Sequence, residues 1–211
     1  MVHLKTSPFP KSTPISILAR GLLLLLIMTA AFLSWPAFRA RYLVNELETL
    51  QVGNSNFEDA QRLASRIGAK PTPYAPCNRA YCEWEVRIDN AYIPKWWRGL
   101  GETFVVSYDL KNSVVVRKNS GFGVGIKTDT FSPSSVGLEE QENWGHTPRS
   151  KPVTVGGRRS ERYPYLEVRI FLKPSVSAEE RRLYSAYNFE CFWKYKGCKD
   201  ARQLLPLLGT R

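Results

Sequence analysis

Four cysteines stand in two close pairs, Cys77 with Cys82 and Cys191 with Cys198. Thiols so placed can hold zinc, run a redox cycle or close disulfides. Structural zinc sites mostly use short ligand spacings of about two to four residues, and the second pair is wider than that. A redox dithiol needs a Cys-x-x-Cys at a helix N-terminus, where the thiolate is stabilised, and neither pair has one. Structural disulfides in an oxidising compartment are therefore the expectation. On one straight helix Cys191 and Cys198 would be separated by roughly 10 Å of rise, against the ~5.5–6 Å between Cα atoms that a bridge requires. Gly197 allows the chain to reverse, and Asn78 permits a turn between the other two. Two local bridges follow.

Histidine bounds the catalytic options. The chain has two. His3 lies near the N-terminus, which leaves His146 as the one candidate general base outside it. It stands in LEEQENWGHTPRS, close to Glu139, Glu140 and Glu142, without the Gly-x-Ser-x-Gly turn that presents a serine nucleophile. A metal centre built on two or three histidines is excluded. Gly121, Gly123 and Gly125 do not open a helix, so they do not form a phosphate loop and read as part of a strand. No catalytic, metal or cofactor-binding residues are assigned on these grounds, and no cofactor is expected. A small hydrolase using His146 stands as the alternative reading.

Binding chemistry is better represented. Trp96 and Trp97 are adjacent and flanked by Lys95 and Arg98, a pattern suited to stacking on a sugar or resting in a lipid interface. Arg149, Lys151, Arg158, Arg159 and Arg162 make RSKPVTVGGRRSER a basic stretch, a candidate dock for anionic lipid or acidic polysaccharide. Lys5, Lys11 and Arg20 precede the main apolar run and every acid follows it, so the remainder carries 27 Lys and Arg against 19 acids, a net +8. An excess of that sign attracts polyanions. Nucleic acid is excluded as a partner if the domain is exported.

Export is read from Gly21 to Phe38, GLLLLLIMTAAFLSWPAF, eighteen residues without a charge. As a helix this stretch covers roughly 27 Å, close to the ~30 Å hydrocarbon core. Ser12 or Thr13 before Pro14 starts it, and Trp35 suits the interface. A signal anchor is favoured over a cleaved signal because Trp35 or Phe38 would occupy the minus-three position of the later cleavage sites. The basic residues before the run place the N-terminus in the cytoplasm. The expected organisation is a cytoplasmic tail over 1–14, a transmembrane anchor over 15–38, a helical stalk over 39–51 and an exported domain over 52–211.

Within that domain Asn56 caps a helix over FEDAQRLASRI, stopped by Gly68. Lys70 to Pro76 is too proline-rich for a regular element and reads as a stiff crossing. From Cys82 the period changes to two, with Cys82, Trp84, Val86 and Ile88 on one face. Further strands are expected over ETFVVSYDL, SVVVRKN, GFGVGIK and YLEVRIFL, the first two joined by a hairpin at Lys111-Asn112. Asp129 to Arg162 reads as a long loop. A closing helix runs from the N-cap Ser177 to Gly197, followed by a short one that ends at Pro206. The fold class is α+β: an antiparallel sheet of about five strands with flanking helices, preceded by one transmembrane helix. The expected role is a non-catalytic binding or scaffolding module at the envelope face. An accessory subunit of a membrane complex, partnered by another membrane protein, is the further alternative.

Overall fold

The computed structural model describes residues 14–74, 76–89, 101–124, 134–141, 152–158, 167–194, 197–198 and 200–209, with side chains in the first helix from Leu18 onward. That helix, α1, spans Pro14–Leu47 without interruption, 34 residues or about 51 Å. It has two different halves. From Leu18 to Phe32 its apolar side chains are exposed all round, with Leu22 at 60%, Leu25 at 64% and Phe32 at 53%. From Ala37 onward, Ala37, Ala40, Leu43, Val44 and Leu47 form a buried stripe at spacings of three and four, continued by Leu50 beyond the helix end. Residues 39–51, expected as a stalk, are instead a core element. Their leucines line the stripe that faces the sheet, so burying them removes apolar surface that a free stalk would leave in water. Pro36, which lacks a backbone N–H, sits at the boundary of the halves.

Helix α2, Phe57–Ile67, has the expected caps. The Asn56 side chain accepts from the Asp59 N–H, the Asp59 carboxylate accepts from the Asn56 N–H, and Gly68 closes the helix at φ 73°. The Arg39 guanidinium donates to the Ile67 carbonyl, satisfying an orphan acceptor at the end of α2 from α1.

Among the described residues the sheet has seven strands: β1 Lys70–Pro71, β2 Tyr81–Asp89, β3 Glu102–Lys111, β4 Val114–Val124, β5 Ser134–Gln141, β6 Val153–Arg158 and β7 Glu167–Leu172. Their order is β1-β2-β3-β4-β5-β7-β6, antiparallel throughout except for the parallel pair β5 and β7. Seven rather than about five is the net of one expected strand lost and three gained. SVVVRKN and GFGVG merge into the single strand β4. The proline crossing contributes the short strand β1. The expected loop over 129–162 contains β5 and β6, whose alternation is carried by few apolar residues (Val136 and Leu138 in β5), too sparse for the period to stand out. The β3–β4 hairpin turns on Asn112 and Ser113, at φ 51° and 65°, one residue later than expected.

The closing helix is shorter than expected. Helix α3 covers only Ala178–Tyr184; a 3-10 turn follows at Phe189–Phe192, then helix α4 at Ala201–Leu204 and a second 3-10 turn at Pro206–Gly209. The break lets the Tyr187 hydroxyl donate to the Ser120 carbonyl at 2.9 Å and lets Asn188 cap the 3-10 turn. The Cys191–Cys198 bridge, with Cα atoms 5.2 Å apart and Gly197 at φ 60°, requires the reversal.

All the described helices pack on one face of the sheet. Trp84 stacks on Tyr108 at 5.3 Å between ring centroids, and Phe104, Phe122, Tyr187, Phe189 and Phe192 form one aromatic cluster. The end of α1 is tied to the start of β4, through Lys118 to the Leu50 carbonyl and Gly53 N–H to the Val115 carbonyl. Earlier turns of α1 reach the Phe189–Phe192 turn, which covers Phe104 and Phe122 further along the strands. Followed back from Leu50, the helix therefore crosses the sheet and leaves past the end where β2 finishes and β3 begins.

Candidate binding site

A β-bulge sets up the first polar site. Asp109 pairs with Arg117 but Leu110 pairs with Val115, so Val116 is an extra residue that reverses the phase of β4. Without it Lys118 would face water. With it Lys118 points to the helices, directly opposite Glu140 of β5, in a row that runs Trp84, Tyr108, Lys118, Glu140, Leu172. Glu140 keeps the same phase as the inward Val136 and Leu138.

The two side chains are 3% and 5% exposed, with Lys118 Nζ 3.1 Å from Glu140 Oε2. Lys118 also donates to the Leu50 carbonyl at 3.0 Å and lies 3.8 Å from Glu48. Arg181 of α3 pairs with the same Glu140 oxygen and donates to the carbonyls of Pro174 and Val176. Two cations and a carboxylate thus tie α1, β4, β5 and α3 together. Burying these charges is tolerable because each is paired and hydrogen-bonded.

Over this network lies a cleft of about 570 Å³, walled by Val44, Glu48 and Leu50 on one side and Val176, Arg181 and Arg182 on the other. That volume is within the range of small-molecule sites, roughly 300–1,000 Å³. Of its lining residues Glu48, Glu140 and Arg181 belong to that charged network. Among the described residues no cluster of three or more His, Cys, Asp and Glu could hold a metal ion.

Among the described residues no helix lies on the opposite face of the sheet. Asp109, Arg117 and Glu139 are neighbours there, with Arg117 paired to Asp109 and 3.7 Å from Glu139. Burial pushes the Asp109 carboxyl above its ordinary range, opposed by the Arg117 guanidinium, and burial does the same to Glu139. Gly121 and Gly137 stand opposite each other beside them, and a Cβ at Gly137 would meet nothing within 4 Å.

The sequence-derived candidates divide clearly. Cys77 bridges Cys82 and Cys191 bridges Cys198, the two local pairs expected, and no free cysteine remains. Cys82 is fully buried beneath the sheet, in the row with Trp84. Arg158 ends β6, 70% exposed, and lies 3.7 Å from Glu167. Trp96, Trp97, His146, Arg149, Lys151, Arg159 and Arg162 lie outside the described residues. The basic stretch is not simply a loop, since its middle is the strand β6 at the sheet edge. The Lys118–Glu140–Arg181 network was not expected. Glu140 had a readable signal in its phase with Val136 and Leu138, whereas Lys118 had none because its orientation depends on the bulge. The chain matches no protein-family model, no curated protein and no solved structure.

Proposed function

We propose that this chain is a single-pass, membrane-anchored binding or scaffolding domain, with a short cytoplasmic N-terminus and the disulfide-bonded α+β domain exported at the envelope face. The observation that carries the reading is the two-part helix α1. Its exposed apolar half is long enough to cross a bilayer, and the same helix continues as a buried core element. The anchor is the first core helix itself, with no linker between them. Such a mount holds the domain at a fixed height and attitude above the lipid. Trp35 and Phe38, exposed and in ring contact, then sit at the interface with Arg39 and Arg41 just beyond. The two disulfides support an oxidising compartment. The excess positive charge after the apolar run favours an anionic partner, whether lipid headgroup, acidic polysaccharide or the acidic surface of another protein.

Topology is tested on cells expressing the full chain with an epitope tag at each end. The protein is expected to stay with membranes through alkaline carbonate washing. External protease is expected to remove the C-terminal tag from sealed spheroplasts and spare the N-terminal one. Protection of the C-terminal tag, or release of the chain by carbonate, would overturn the reading.

A further inference from the structure

We infer that β6 is an acceptor edge, built to add an extended, acidic segment of another protein as an eighth strand. This rests on the exported binding-domain reading and names the class of partner. Among the described residues strand β6 is the last strand of the sheet, paired only with β7. Its register with β7 runs from Val153 opposite Leu172 to Arg158 opposite Glu167. The Lys173 N–H donates to the Pro152 carbonyl at 2.9 Å, so Pro152 and Lys173 are a hydrogen-bonded pair. In an antiparallel ladder such pairs alternate, which turns Thr154, Gly156 and Arg158 toward β7 and Val153, Val155 and Gly157 outward. No hydrogen bond reaches these outward groups among the described residues. From Val155 to Arg158 every residue is exposed, and Val155 is a 43% exposed β-branched side chain. An edge of this kind is a template for strand addition.

Charge selects the occupant. The sequence surrounds β6 with Arg149 and Lys151 before it and Arg158, Arg159 and Arg162 at and after its end. At the described edge itself the cations Arg158 and Arg169 outnumber the one acid between them, Glu167, which opposes pairing with a second copy of the same edge. An acidic strand meets them favourably. Beside the edge, Gly156 leaves a hollow of about 330 Å³ bounded by Arg158, Glu167, Arg169 and Phe171. A Cβ at Gly156 would meet nothing within 4 Å, so a long side chain on the added strand can lie across it toward Arg169. Glu167 is shared by Arg158 and Arg169, which leaves the patch one positive charge in excess. A glutamate opposite Gly156 completes that balance.

The test uses the full chain in lipid nanodiscs and a short synthetic peptide alternating valine with glutamate. The peptide is expected to bind at low salt and to slow hydrogen exchange at the Val153, Val155 and Gly157 amides. Val155→Pro removes an outward donor and no bond to β7, so it is expected to keep the melting temperature and weaken the peptide at least about tenfold. Val153→Pro repeats the test at the strand's first residue if the first variant melts early. Equal binding to the proline variants, no exchange protection, or equal binding of a valine–lysine peptide would overturn the proposal. Self-association abolished by Val155→Pro would also overturn it, by making a second copy the occupant. A chain that anchors and faces outward yet fails these tests loses strand addition alone; a cytoplasmic domain removes the reading beneath it.

Discussion

Glu140 accepts from the buried Lys118 and the part-buried Arg181, and its neutralising role can be isolated. Glu140→Gln keeps the shape but removes the carboxylate that Lys118 and Arg181 share, leaving Lys118 only the more exposed Glu48 at 3.8 Å. Breaking a buried pair in this way costs about 3–5 kcal/mol. The variant is expected to show that loss in urea unfolding of the detergent-solubilised chain, with the dependence on denaturant unchanged. Adding Lys118→Met is expected to recover more than half, because the cation left uncompensated is gone. An additive double variant would show that Lys118 and Glu140 are not coupled. This residue-level feature was half legible. Glu140 announces itself by alternation, while Lys118 points inward only because β4 pairs with β3 through a bulge, a property of two strands together.

At the scale of elements, α1 is the one whose role changed most between sequence and structure. Its apolar run and its amphipathic continuation are both plain in the sequence, and a free stalk fits the pattern as well as a core helix does. The distinction lies in what faces the stripe, here the sheet and the Phe189–Phe192 turn. Leu43, Val44, Leu47 and Leu50 are all buried, and burying such side chains stabilises by about 1.5–3 kcal/mol each. Together that is of the order of a domain's whole stability, about 5–15 kcal/mol. A chain beginning at Val52 is therefore expected to lack a cooperative thermal transition, while one beginning at Pro36 melts cooperatively. Near-ultraviolet circular dichroism of the two distinguishes them, and a cooperative melt from the Val52 chain would show α1 to be dispensable.

For the molecule as a whole, the compartment and the stability margin are linked. Each disulfide closes a loop of few residues, with sequence separations of 5 and 7. On the chain-entropy view loops this short stabilise by about 2 kcal/mol each, a substantial share of the margin. Reduction is expected to lower the unfolding free energy by about 4 kcal/mol, read from urea midpoints with and without reductant. Chain isolated from the membrane is expected to resist alkylation until it is reduced. Prompt alkylation without reductant would place the domain in a reducing compartment and remove the support that the bridges lend to export.

The sequence by itself determined the apolar helix, the caps of α2, the period of β2 and the local pairing of the cysteines. Each of these depends on neighbours within a few residues: a run of leucines, an Asn before an acidic first turn, an alternation, a glycine that permits reversal. Only the tertiary structure decided that residues 37–50 belong to the core, that the closing helix breaks after Tyr184, and that β7 inserts between β5 and β6. The same holds for Lys118, which meets Glu140 across a bulged pair, and for the basic stretch, whose middle becomes an open edge. Those outcomes depend on contacts between segments far apart in the chain, where competition for a buried face outweighs local preference.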